Sequence, residues 1–503
     1  MKVEKLWGGR FTTLPSQEII DFLSGRDTKE QRPCDEKLIP YDLWGSQAHV
    51  LMLCRQGILS AREGKRILRG LREIELQYQK GVFRLDRSKE DVHSNVESCL
   101  IDLLGIETGG KVHTGRSRND QIALDMRLYL RDQVLRMIED LSHLIDVLIE
   151  QAEAHRRTLM PGYTHHQPAV VTTYGHLLLA YAEGLQRDIQ RLFHWMALFN
   201  KNPLGAAAGY GTSFRLDRRL TSRLLGFDGP TGNVTDPITQ RWEPETELAY
   251  VLAVMMDHLS TMAQTFILLS TAEFNMIRLS DRHCTGSSMM PQKRNPDSLE
   301  VIKAKASLAH GILVSLLSVG KSLFMGYNRD TQWTKYWIMD LVEETRPALS
   351  VMTDIVRLME VHRSTMLDLA NRNFIGATAL MEWMVQARGL SLRTAKGVVE
   401  KAVKYSEREN QREVSYPSLQ RALRETKIHI AVNEQEVTEK QRPEVIFNQE
   451  ALVGNASTKG ISENLAILRR NIRKHRAELT RIRGKIEDAK TSILRMERQL
   501  GRR

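Results

Sequence analysis

Residues 246–277 read TELAYVLAVMMDHLSTMAQTFILLSTAEFNMI, and the spacing of their apolar side chains sets the fold class. Leu248, Leu252, Met255, Leu259, Met262, Phe266 and Leu269 alternate steps of four and three residues, the repeat of a helix with a packed seam. At the rise of an α-helix the stretch would be about 45–50 Å long. Val251, Val254 and Leu268 widen the apolar surface, so cover on more than one side is expected. Working outward, 120–157 and 174–200 read as two more long helices, and 298–319 and 331–360 complete a set of about five. Long helices with broad apolar faces pack as bundles. The expected fold is therefore all-α: a long central helix bundle shared between subunits, with smaller helical N- and C-terminal regions and a C-terminal heptad helix.

Glycine and proline mark the joints, at Met160-Pro161-Gly162, Pro203-Leu204-Gly205, Gly229-Pro230 and across 286–296. They suggest a helical N-terminal region (1–112), the central bundle (113–362), a small helical region (363–460) and a basic extension (461–503). In the extension, Leu465, Leu468, Ile472, His475, Leu479, Ile482, Ile486, Ala489, Ile493, Met496 and Leu500 keep an unbroken heptad register. Gly484 is its weak point, or a turn into a hairpin.

With 42% hydrophobic and 26% charged residues the composition is that of an ordinary globular protein. No run approaches the ~18 consecutive apolar residues of a membrane helix. Residues 1–11 lack the apolar core of a secretory signal. Cys34, Cys54, Cys99 and Cys284 are scattered without metal-type spacing, so a reduced, cytoplasmic protein is expected. The net charge is +11, but 461–503 holds 13 Lys/Arg against 5 Asp/Glu and so carries +8 of it. The rest has the balance of a small-molecule enzyme. A basic heptad helix can meet nucleic acid, an acidic partner or a membrane surface; packing on its own oligomer is the simpler expectation.

Three segments are polar or Gly-rich where a bundle should be apolar. The first, HTGRSRNDQ at 113–121, sets Arg116, Arg118 and Asn119 at a helix start, where they can donate to carboxylates or merely form a solvated cap. The second is Thr164-His165-His166-Gln167. Read as helix, the adjacent imidazoles would point about 100° apart, which suits one catalytic or buried His better than a metal pair. The third, TGSSMMPQKRNPD at 285–297, cannot be continuous helix, and a simple connection would not need paired serines, Lys293 and Asn295 beside Met289 and Met290. It has neither the phosphate-binding G-x-x-x-x-G-K-[ST] pattern nor a G-x-S-x-G elbow.

The 286–296 string resembles the signature loop of the fumarase/aspartase superfamily, and Gln292-Lys293-Arg294-Asn295 resembles its argininosuccinate lyase branch. Blocks at 114–121 and 160–167, LWGGRF at 6–11, Glu90-Asp91-Val92-His93 and Tyr327-Asn328-Arg329-Asp330 match the same branch in the same order. The similarity runs from residue 6 to about residue 460.

The resemblance implies β-elimination of argininosuccinate to arginine and fumarate, in arginine biosynthesis. It implies Ser287 as the base, and Lys293 and Asn295 as stabilisers of the aci-carboxylate. His165, oriented by Glu300, would assist proton transfer. Arg118, Asn119 and Thr164 would hold the succinyl carboxylates, and Arg241, Tyr327, Gln332 and Lys335 would contact substrate. It further implies a homotetramer with sites built from several subunits, and no metal or other cofactor. Around Arg241 the family commonly has Ser-Asp-Arg-Asp, whereas this chain has Thr239-Gln240-Arg241-Trp242. The alternatives are a lyase acting on another N-substituted aspartate, of the ethylenediamine-disuccinate type, or a non-catalytic homologue. Ser287, Lys293, Asn295, His165 and Glu300 are all present, which argues against the second.

Overall fold

The computed structural model describes residue 13 and residues 16–24, 33–448 and 452–500. The 6–11 block and much of 1–32 lie outside the described residues. The fold is all-α. Its helices of eleven residues or more begin with α1 (Ile39–Arg55), α2 (Ala61–Gln79), α3 (Val92–Leu104), α4 (Arg118–Ala154) and α5 (Tyr174–Phe199). Then come α6 (Glu243–Leu269), α7 (Asp297–Gly320), α8 (Thr334–Thr345), α9 (Pro347–Leu358), α10 (Ala377–Arg388), α11 (Leu392–Arg408), α12 (Tyr416–Thr426) and α13 (Thr458–Leu500). A hairpin of β1 (Leu159–Thr164) and β2 (Gln167–Thr173) joins α4 to α5.

The seam read at 246–277 is the buried side of α6: all seven of its side chains, Leu248 through Leu269, are buried. The helix starts earlier than expected because Pro244 sits in its first turn, where a missing N–H costs nothing. It stops at Leu269, and Ile277–Arg278 instead forms a short strand against Glu360–Val361. The helix expected over 331–360 is two helices, α8 and α9, because Pro347 cannot donate to the ladder and opens a new first turn. Helix α4 starts as a capping box, with Ser117 N–H donating to Asp120 at 2.9 Å.

One core runs through α1 to α9 and takes in α13, while residues of α10 to α12 close a separate small core around Leu380, Val398 and Leu419. By length and composition α6 and α7 could each cross a membrane. Here they pack against one another in the bundle, and α7 leaves Val314 and Leu317 exposed.

Helix α13 is continuous through Gly484 and lies on its own chain, against α4 and α5. Leu465, Leu468, Ile472, Leu479, Ile482, Ala489 and Ile493 are buried, and the His475 ring sits 5.8 Å from that of Phe193. Arg469, Arg476 and Arg483 pair with Glu153, Asp146 and Glu139 of α4. Seven residues up one helix match seven down the other, so the two run antiparallel in a single register.

Candidate active site

The loop before α7 is pinched at its base by a bridge in which Thr285 and Asn295 exchange N–H···O bonds of 3.1 and 2.8 Å. Asn295 Nδ2 reaches across to the Gly286 carbonyl at 3.3 Å, and the Thr285 hydroxyl donates to Asp297. Within this frame Ser287 Oγ accepts the backbone N–H groups of Met289 (3.2 Å) and Met290 (3.0 Å). Two amide donors aimed at one hydroxyl oxygen favour its anion over its neutral form. Lys293, in the same loop, is exposed, and among the described residues it has no ion-pair partner. Glu300 is exposed in the first turn of α7, the favourable end of the helix for a carboxylate.

His165 and His166 are not helical, so the 100° separation expected for adjacent helical residues does not apply to them. They form the two-residue turn of the β1–β2 hairpin, between the paired Thr164 and Gln167, with φ of 52° and 60°. Both central residues of such a turn need the left-handed region, which normally selects Asn or Gly. Holding two histidines there costs of order 1–3 kcal/mol each, the kind of strain found at functional sites. Thr164, His165 and His166 are all exposed.

Arg118, the first residue of α4, places NH1 3.2 Å from Glu90 and 3.5 Å from Asp91, and Asn119 Nδ2 donates to the Ala208 carbonyl at 3.4 Å. Arg241 is 5% exposed with its guanidinium 5.8 Å from the centre of the Tyr327 ring. Glu245 lies in the first turn of α6, which follows Arg241; burial pushes its carboxyl up to about 7. Lys335 is buried and ion-paired with Asp35, and Gln332 is half-buried in the turn ahead of α8. Gln240 and Trp242 bond one another, Nε1 to Oε1 at 3.0 Å, with the indole against Gly320, where an added Cβ would come within 2.5 Å of the ring.

The structure thus ties Asn295 to Thr285 and Gly286, just ahead of Ser287, and sets Arg241 against Tyr327. Among the described residues no hydrogen bond or ion pair within the chain joins His165 to Glu300, or either to Ser287. Sequence reasoning did not single out Asp42, Ser46 and His49 of α1, or Asp125 of α4, all buried. The signal was available: polar residues at positions i, i+4 and i+7 on one face of an apolar helix.

Residues 20–311 match the family model described as Lyase. Argininosuccinate lyases from Alcanivorax borkumensis and Hahella chejuensis are each 42% identical, over 80% of this chain and 84% of theirs. The chain belongs to the argininosuccinate lyase family. It is a carbon–nitrogen lyase. Among solved structures, an EDDS lyase in complex with formate is similar with a TM-score of 0.90 and 29% identity, covering 99% of this chain and 98% of its own. A 3-carboxy-cis,cis-muconate lactonizing enzyme from Pseudomonas putida, TM-score 0.68 at 19% identity, shares the fold. Unlike the argininosuccinate lyase matches, the EDDS lyase likeness extends over nearly the whole chain, so it includes most of α13.

Proposed function

We propose that the chain splits argininosuccinate reversibly into arginine and fumarate. Ser287 Oγ, as the alkoxide, takes the proton from the carbon beside a succinyl carboxylate. The electron pair moves onto that carboxylate as a dianionic aci-form, which Lys293 and Asn295 stabilise. When the pair returns, the C=C bond forms, the C–N bond breaks, and the guanidino nitrogen leaves with a proton supplied through His165, oriented by Glu300. Arg118, Asn119 and Thr164 hold the carboxylates, while Arg241, Tyr327, Gln332 and Lys335 line the rest of the site. The observation that carries this reading is the pair of amides on Ser287 Oγ, since a serine is a feeble base unless its anion is stabilised.

His165 and Glu300 meet between subunits of a homotetramer. This is supported by the lack, among the described residues, of any bond between them within the chain, and by the outer face of α7, where Leu308, Val314 and Leu317 are 42%, 62% and 52% exposed. A cytoplasmic enzyme of arginine biosynthesis, working without metal or cofactor, fits this chemistry. A second reading, elimination from another N-substituted aspartate, is favoured by the EDDS lyase likeness and by Gln240 and Trp242. Fumarate absorbance on mixing with argininosuccinate tests the first reading. Turnover of ethylenediamine disuccinate with none of argininosuccinate would replace it with the second.

A further inference from the structure

Among the described residues fifteen buried side-chain nitrogen or oxygen atoms lack a hydrogen-bond partner, and eight of them lie in one chamber between α1, α3 and the start of α4. Six are atoms with lone pairs to offer: Asp42 Oδ2, Ser46 Oγ, His49 Nδ1, Gln121 Oε1 and both oxygens of Asp125. His49 Nδ1 counts as one because Nε2, 2.8 Å from the Thr114 carbonyl, must carry that ring's hydrogen. The other two are Arg116 Nε and His93 Nε2. Such a concentration calls for an explanation.

At the centre, His93 Nδ1 is 3.0 Å from Asp42 and 3.6 Å from Asp125, and Gln121 donates to the same Asp42 oxygen at 3.3 Å. Facing them is one fixed cation, Arg116, buried and close enough to influence both carboxylates. The remaining charged neighbours are already committed. Asp120 accepts backbone N–H groups from Ser117, Gly205 and Ala207 at 2.8–2.9 Å, Asp35 is paired with Lys335, and His113 faces Glu97 at 3.8 Å. Two carboxylates against one guanidinium leave the chamber net negative while its imidazoles are neutral, a costly state away from water. Burial and then the Asp42 charge push the Asp125 carboxyl well above its usual range. For Asp42, burial acts upward too, but the hydrogen bond from His93 and then the Arg116 charge outweigh it and hold this carboxyl below its usual range.

In sequence, Arg116 and Gln121 of the chamber flank Arg118 and Asn119. Arg116 is two residues before Arg118 in sequence, and Asp91, two before His93, caps α3 and touches Arg118 at 3.5 Å. We propose that Asp42, His93 and Asp125 are positioning residues for the carboxylate clamp of Arg118 and Asn119. Asp125, fully buried with neither oxygen hydrogen-bonded, takes one proton from solvent, which lowers the net negative charge of the chamber by one. In that state the chamber holds Arg116 and Asp91 where the clamp needs them. The inference rests on the reading that Arg118 and Asn119 bind the succinyl carboxylates.

The test is fumarate release by the full chain from argininosuccinate, with KM and kcat measured separately between about pH 6 and pH 9. In the wild type, losing the chamber proton raises KM about fivefold on the alkaline side while kcat changes less than about twofold. Asp125→Asn replaces the proton's effect permanently, so the alkaline limb disappears and KM stays low. His93→Gln loosens the hydrogen bond that holds Asp42 low, so the carboxylates keep their proton more tightly and the limb moves to higher pH; this variant also decides the matter should Asp125→Asn fail to fold. A wild-type KM without an alkaline limb overturns the proposal, as do variants whose limbs coincide with the wild type's. Arg118→Gln, run alongside, separates the two readings. If it raises KM and the chamber variants are silent, the chamber proposal alone falls. If it leaves KM untouched, the clamp reading falls and takes the chamber with it.

Discussion

Between Thr285 and Asn295 the chain is tied by one pair of backbone bonds and leaves Met289 85% exposed. Between Thr458 and Leu500 it buries an apolar side chain every three to seven residues and pairs three arginines with three acids in step. Both stretches are conspicuous in the sequence, yet they use their residues in opposite ways. The tail joins its side chains to its own chain. The loop turns a serine oxygen onto two amides and leaves Lys293 facing outward. Stability is gathered in the tail, while the groups proposed to react sit on backbone that contributes little to the core.

That contrast can be broken at either end. The largest effect belongs to the loop: Ser287→Ala should lower kcat by about a thousandfold or more with the melting temperature unchanged, because the side chain is not part of the core. A fall in melting temperature to match would show that the loop is a structural element after all. His165→Asn keeps a residue tolerant of left-handed backbone and removes the imidazole, so kcat should drop about a hundredfold in stopped assays of fumarate while the fold holds. Equal turnover would move the proton donor elsewhere.

Truncation after Gly460 should act the other way. It uncovers the apolar strip of the body that α13 covers, so calorimetry should show a melting temperature at least about 5 °C lower. Turnover per folded molecule should survive. A loss of turnover without a loss of stability would tie the tail to the chemistry. The smallest effect is expected from Arg476→Ala, an exposed pair worth no more than about 1 kcal/mol in denaturant unfolding.

The long helices were legible because their apolar spacing is a local property: the α6 seam and the α13 register can both be read directly along the chain. The blocks proposed to form the active site stand out as strings, since such chemistry confines its groups to a few contiguous residues. What escaped was set by partners distant in sequence or by backbone preference. The β1–β2 turn carries His165-His166 where Asn-Gly would have announced a hairpin. The break at Pro347 was overlooked because the apolar pattern continues through it. Asp42, His93 and Asp125 are separated by dozens of residues, and only the packing of α1, α3 and α4 makes them neighbours.

The matched heptads of α4 and α13 also act as a ruler. An insertion or deletion of one residue within either helix would rotate everything beyond it by about 100° and carry the later arginines off their acids and the later leucines out of the groove. Only changes of seven residues, or multiples of seven, keep both sets in place. The segment that looks most dispensable to the reaction is therefore among those least free to change in length.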